Sequence, residues 1–299
     1  MIITKISGSA PVVVFVGPAA CGKSMVLQSL VDMLRKQNLA FEPDVNYLRS
    51  VPTIGTTTEQ QTHESATDKG SLELYKENCE DFKSVITSNA VGDNNNKRAL
   101  KGSTDQILVN VKKSIDGNEI IIKLLEAPGE HFFSVSNPEK GINEELLNLF
   151  SGEREFPIYY VILLDLHTVH AGGFTLEVSA TLRDQYSQRV VDIIHAGYKT
   201  GNKDRLVFLY NKSDLNRGTV KIERIMSDFY PAIEHASTKR SLFGKVKPSV
   251  LPYIAGRNFR AKDIEGEPIP VYSVDRSCTK CAEALWKELN PQKSLFKFF

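Results

Sequence analysis

The stretch VVVFVGPAACGKSMVL, residues 12–27, decides how the rest of the chain is read. Five apolar residues, Val12 to Val16, run into a Gly-Pro-Ala-Ala-Cys-Gly-Lys-Ser loop, and helix-forming residues follow. Gly17 to Ser24 fits the pattern GxxxxGK[ST], and it lies between a strand and a helix, as its mechanism requires. The glycines let successive backbone N–H groups turn inward around phosphate oxygens, at the positive end of the helix dipole. In this reading Gly17, Ala20, Cys21, Gly22, Lys23, Ser24 and Met25 surround the phosphates. Lys23 reaches the outer phosphates, the Ser24 hydroxyl is a magnesium ligand, and Cys21 serves as a small residue.

The composition sets the frame for that loop. The chain has 299 residues, 41% hydrophobic and 24% charged, with a formal net charge of +1. This is an ordinary globular composition, enough for one elaborated domain or two small ones. No apolar run reaches the ~20 residues that a membrane helix needs. No secretory leader is visible, and the four cysteines show no dense spacing pattern, so a cytoplasmic location is expected. The near-neutral charge gives no reason to expect nucleic acid as the main partner.

Outward from the loop, apolar runs alternate with helical patterns, which predicts an α/β fold with a mainly parallel sheet. QILVNVKKSI (106–115) alternates apolar and polar residues like a half-exposed edge strand, and DGN then turns into EIIIKLLEAPGE as an edge hairpin. FPIYYVILLDL and DRLVFLYNKSD read as strands covered on both faces, and IPVYSVD (269–275) reads as the last strand. Helices are predicted at 23–37, 174–198, about 220–235 and 279–289. In the longest, Val178, Leu182, Tyr186 and Val190 form a core-facing stripe.

LYNKSDL then places Asn211, Lys212 and Asp214 at the carboxyl end of a buried strand, where open α/β sheets bind ligands. Guanine offers two adjacent donors, N1–H and the 2-amino group, and the Asp214 carboxylate can accept both; adenine has no matching pair. A site built on such polar partners rejects the analogue that leaves them unpaired. Asn211 suits the N7 side, and the Lys212 stem suits the face of the base.

With these motifs in order, GPAACGKS, PTIG, EAPG, NKSD and YSVD, the sequence resembles the Ras-like P-loop GTPases over most of its length. The resemblance implies a six-stranded sheet with one antiparallel edge strand, helices on both faces, and GTP or GDP bound with Mg2+. It places Ser273 and Val274 at the backbone loop that touches the guanine carbonyl, with Asp275 replacing the family lysine. EAPG resembles the family Asp-x-x-Gly: Glu126 stands in for the magnesium-holding Asp, and the Gly129 N–H meets the γ-phosphate. Thr53 of Pro-Thr-Ile-Gly most resembles the switch threonine that binds magnesium and γ-phosphate, with Thr56, Thr57 and Thr58 as alternatives. Glu130 falls where the family orients its attacking water, although a carboxylate there meets like-charge repulsion. His131 is one place late. Catalysis in this family is positioning and charge stabilisation, so with neither residue well suited to orient water, slow intrinsic hydrolysis is expected, with turnover controlled by a partner or by self-association. Arg49 is a candidate internal arginine finger.

The implied organisation is one GTPase domain over 1–299 with insertions at about 59–104 and 236–268. The first lengthens the segment that responds to the γ-phosphate, so a protein effector or regulator is expected there, a passive loop being the alternative. The second carries Lys239, Arg240, Lys245, Lys247, Arg257, Arg260 and Lys262 with no acid between 239 and 262, which suits an acidic partner, RNA or membrane surface, or a solvated loop. Asp165, His167 and His170 have a spacing a metal can use, but structural sites want four ligands and no fourth is evident. Cys278 and Cys281 form a single CxxC without a second pair. The expected activity is a GTP-hydrolysing switch; the rivals are a GTP-dependent assembly module with little turnover and, if NKSD is coincidence, a P-loop kinase or ATPase.

Overall fold

The computed structural model describes residues 6, 8–19, 21–44, 73, 75–81, 83, 106–113, 119–134, 137, 139–169, 175–198, 202–216, 220–241, 244–246, 248–254, 257–262, 268–273 and 276–290. Strand β1 (Val12–Val16) is buried at every residue, and so is β5 (Ile158–Leu164). A strand buried along its whole length needs cover on both faces of its sheet, which explains the unbroken β-branched and aromatic runs. Helix α1 (Lys23–Lys36) buries Val26, Leu27, Leu30, Val31, Met33 and Leu34, and its last turn carries Arg35 and Lys36, favourable to the helix dipole.

The main sheet has seven strands. They are β1, β2 (Leu39–Pro43), β3 (Ile107–Lys113), β4 (Ile120–Glu126), β5, β8 (Arg205–Tyr210) and β11 (Val250–Pro252), in the order β11-β8-β5-β1-β4-β3-β2. All neighbouring pairs from β11 to β4 run parallel, whereas β3 is antiparallel to both β4 and β2. Helices α3 (Glu144–Ser151), α4 (Ala180–Gly197) and α6 (Pro231–Ser237) pack as one group, and α7 (Arg276–Leu289) packs on α1.

The α/β class holds, and several details differ from expectation. The helix expected over 174–198 begins only at Ala180, where the Ser179 hydroxyl caps it by accepting from the Leu182 N–H, and Thr175–Glu177 before it is a strand, β7, paired antiparallel with β6 (His167–Val169). The antiparallel strand β3 is not at the edge, because Leu39–Pro43 pairs along it from Leu39↔Lys113 to Pro43↔Val109. This makes a seventh strand, whose Pro43 is tolerated at a sheet edge because it needs no inward N–H. The last strand of the sheet is β11 rather than 269–275. Residues Pro268–Ser273 form β13, which pairs antiparallel with β12 (Arg257–Lys262) in a separate two-stranded sheet. The segment 236–268 is therefore no single insertion: a hairpin of β9 (Lys239–Ser241) and β10 (Gly244–Val246) precedes a core strand, and the β12–β13 hairpin follows it. Finally, the helix expected over 220–235 is split into α5 (Ile225–Phe229) and α6, because Pro231 has no N–H to continue the first and suits the start of the second.

Within the first insertion, residues 75–81 form a helix, α2, whose Tyr75 and Cys79 join the core at 0% and 1% exposure. The Tyr75 hydroxyl donates to the Asp44 carbonyl at 3.1 Å, just after β2. Asn110 Nδ2 on β3 donates to the Asp44 carboxylate at 3.3 Å. This part of the insertion is docked on the sheet rather than loose.

Candidate functional site

The loop after β1 and the first turn of α1 sit at the carboxyl end of the sheet. Gly22, which caps α1, has φ +96, and a Cβ there would lie 2.7 Å from Asn211 Nδ2. A Cβ on Gly17 would lie 2.5 Å from Cys21 Sγ, so Cys21 is packed beneath the loop and burial pushes its thiol up. Lys23 is 6% exposed and its ammonium donates to the carbonyls of Gly17 at 2.9 Å and Pro18 at 3.1 Å. That folds the cation back over the loop, where it neutralises oxygens turned toward it. Met25 is half-buried and packs on the core; Ala20 lies outside the described residues.

Beside this loop, β4 ends at Glu126, which is 2% exposed. Ser24 Oγ donates to its Oε1 at 3.4 Å, while Oε2 has no hydrogen-bond partner among the described residues. Burial pushes the Glu126 carboxyl up to about 7, against the pull of Lys23 and Ser24. The next turn, Gly129–His131, is a single 3-10 turn. A Cβ on Gly129 would lie 2.3 Å from Ala19 N and 2.4 Å from the Pro18 carbonyl carbon, so only glycine allows this approach to the loop. Glu130 and His131 are half-buried, and the turn is anchored by buried Phe132 and Phe133. Three expected residues, Ser24, Glu126 and Gly129, are thus brought to one place. Thr53 and its alternatives, Thr56 to Thr58, lie outside the described residues, as does Arg49.

The second motif meets the first directly. Asn211, 2% exposed, donates from Nδ2 to the Cys21 carbonyl at 2.7 Å across 190 residues of sequence, and its Oδ1 has no partner among the described residues. Lys212 has φ +53 and forms an ion pair with Asp165, and also donates to the His167 carbonyl at 2.8 Å. Asp214 is exposed in the short turn Ser213–Asn216. Ser213 donates from its backbone N–H and its hydroxyl to the Tyr253 carbonyl, at 3.1 and 3.2 Å. Tyr253 directly follows β11, so the end of that strand is tied to Ser213, the residue before Asp214. Ser273, expected at that place, ends β13 opposite Arg257, and Val274 lies outside the described residues.

Three tyrosines at this site were not legible as site residues, and Asp165 was legible only as a candidate metal ligand. The Tyr186 hydroxyl, fully buried on α4, donates to the Leu163 carbonyl at 3.0 Å and lies 3.3 Å from that of Val16. It thereby braces the ends of β5 and β1 beneath the loop. Its place in an apolar stripe was the available signal, since a buried tyrosine hydroxyl needs a partner. Tyr253 reaches Ser29 of α1, with 2.7 Å between the hydroxyls. Tyr230 and Asp165 exchange hydrogen bonds at 2.9 and 3.1 Å. Asp165 is engaged with Lys212, and His170 lies outside the described residues; among the described residues no cluster of three or more His, Cys, Asp or Glu is placed to hold a metal. No helix among the described residues is long and apolar enough to cross a membrane.

No family model matches the chain, and no curated protein sequence does. Among solved structures, a Plasmodium falciparum chain described as a nucleolar GTP-binding protein 1 is similar over 96% of this chain and 89% of its own, at 9% identity and a TM-score of 0.34. A likeness that distant carries no argument about the site, whose own geometry must bear the reading.

Proposed function

We propose that the chain binds GTP and GDP with Mg2+ at the carboxyl ends of β1, β4 and β8, hydrolyses GTP slowly, and acts as a nucleotide-dependent switch toward a protein partner. The observation that carries this reading is the 2.7 Å hydrogen bond from Asn211 to the Cys21 carbonyl. It joins the phosphate-type loop to the NKSD segment and fixes the separation between a phosphate site and a base site. Asp214, exposed beside it, accepts the paired guanine donors, and the loop from Tyr253 takes the place first given to Ser273 and Val274.

The residues fit magnesium. Glu126 Oε2 is a buried carboxylate oxygen without a partner among the described residues, and Ser24 Oγ stands next to its twin. Ser24 and Glu126 would hold the ion, directly or through water, with Thr53 as the proposed third protein contact. When bound, Mg2+ supplies positive charge against the phosphate oxygens. Lys23 supplies a second positive charge, with one ammonium N–H left beyond its two carbonyl bonds. Gly129 N–H is the proposed γ-phosphate donor, and Glu130 or His131 orients water.

A second reading, a GTP-dependent assembly module with little turnover, is favoured by Glu130. A carboxylate in the turn that abuts the loop repels a γ-phosphate and orients water poorly. The partner surface is proposed at the switch segment with the 59–104 insertion, and an acidic partner at the basic strands β9, β10 and β12. Competition among GTP, ATP and xanthosine triphosphate tests the base. A timed assay of GTP loss separates switch from assembly module, and ATP binding as tight as GTP would remove the guanine reading.

A further inference from the structure

Asp165 and Lys212 make an ion pair that packing does not require. Asp165 is 8% and Lys212 17% exposed in its side chain. Desolvating such a pair costs roughly what its attraction returns, and apolar residues of the same volume are often at least as stable. Lys212 also holds φ +53, a backbone conformation that L-residues adopt at a cost. Two costs at one residue point to a role beyond stability.

The geometry is specific on every side. Asp165 follows the last residue of β5, and Asn211 N–H donates to the Leu164 carbonyl at 3.0 Å, which sets the two strand ends side by side. The Asp165 backbone is held from both directions by the Tyr230 hydroxyl, accepting from its N–H and donating to its carbonyl. Its Oδ1 accepts from the His167 N–H at 3.1 Å, which leaves Oδ2 for Lys212. The His167 carbonyl takes a second N–H of the same ammonium at 2.8 Å. The Lys212 head is therefore fixed to the end of β5, and its methylene stem spans from there to its own backbone, between Asn211 and the turn that presents Asp214.

We propose that Asp165 is a positioning residue for a purine base: it ties down the Lys212 ammonium so that the lysine stem keeps one course along the base face. This rests on the nucleotide-binding reading above. A lysine stem otherwise samples many rotamers, and ordering one rotamer-rich side chain in advance is worth up to about tenfold in affinity. Asp165 does not touch the ligand; it acts through Lys212.

The test separates base from phosphates. Affinities for GTP and for tripolyphosphate, which has phosphates and no base, are measured for the wild type, Asp165→Ala, Asp165→Asn, Lys212→Met and the Asp165→Ala/Lys212→Met double variant. Asp165→Ala is expected to weaken GTP by about tenfold and leave tripolyphosphate unchanged. Lys212→Met should cost less on the Asp165→Ala background than on the wild type, because the two act as one unit. Should Asp165→Ala fail to fold, Asp165→Asn, which keeps an acceptor for His167 but loses the charge, bears the same comparison. Unchanged GTP affinity, a parallel loss of GTP and tripolyphosphate, or strictly additive losses would each overturn the role given to Asp165. A wild type that binds GTP no tighter than tripolyphosphate strikes the base reading itself, before any variant is compared.

Discussion

At the residue scale, the ends of the proposed ligand are set by two charges. Lys23→Ala removes a charge-assisted contact to phosphate from a partly desolvated place, worth on the order of 1.5–3 kcal/mol, so GTP should bind at least about tenfold more weakly by titration calorimetry. Asp214→Asn should weaken GTP and favour xanthosine triphosphate, whose 2-oxo group accepts where guanine donates; unchanged GTP affinity would take Asp214 out of the site. Thiol reactivity reports the packing around the loop. Burial pushes the Cys21 thiol up and that of Cys79 up to about 11, whereas Cys281 is half-buried on α7. Since the thiolate is the reacting form, alkylation at pH 8 should label Cys281 first and leave Cys21 and Cys79 until the protein unfolds. Early labelling of Cys21, read by mass spectrometry, would mean that the loop does not rest on Gly17 as described.

At the scale of elements, the site depends on a close approach and on braces. In the turn at Gly129, Gly129→Ala puts a methyl within 2.5 Å of the Pro18–Ala19 backbone, which has no flexible side chain to yield. Overpacking of this kind costs about 1–3 kcal/mol, and it should displace the loop and weaken nucleotide binding together with stability. The far end of the sheet is held differently. Arg154 and Asp204 form a buried ion pair at 2.6 Å, and Asp204 also accepts from the Ile158 N–H at the start of β5. Arg154 donates further to the carbonyls of Phe156 and Gly197. Arg154→Met strands a buried carboxylate and should cost about 3–5 kcal/mol in chemical denaturation. The surviving folded fraction should bind GTP normally, because this bracket lies at the amino ends of β5 and β8. Elements also show where sequence patterns fail. A strand such as LAFEP alternates poorly and contains a proline, and it becomes a strand because β3 offers it an unpaired edge.

At the scale of the whole molecule, β2 and α2 meet across 31 residues of sequence, because the Tyr75 hydroxyl donates to the Asp44 carbonyl. Proteolysis should therefore spare Lys76, on a helix that Tyr75 and Cys79 anchor in the core, in both nucleotide states. Cleavage at Lys69, Lys97 or Arg98 should be slowed by a non-hydrolysable GTP analogue with magnesium. Thr53→Ala should remove that protection, and equal cleavage with GDP and the analogue would make the segment a passive loop. Much of this was legible in the sequence by itself. It determined the strand-loop-helix at 12–36, the hairpin partners β3 and β4 and the buried strands β5 and β8, and it singled out Lys23, Ser24, Asn211 and Asp214 as the residues of the proposed site. These follow from short-range rules: apolar runs, glycine at a tight loop, and polar side chains at a strand's end. Only the tertiary structure decided that Leu39–Pro43 closes one edge, that Val250–Pro252 and not Pro268–Ser273 closes the other, that Ser213 is tied to Tyr253, and that Asp165 pairs with Lys212. The physical reason is competition. Which strand takes a free edge and which carboxylate takes a buried ammonium are settled between residues far apart in sequence, and no local pattern records the outcome.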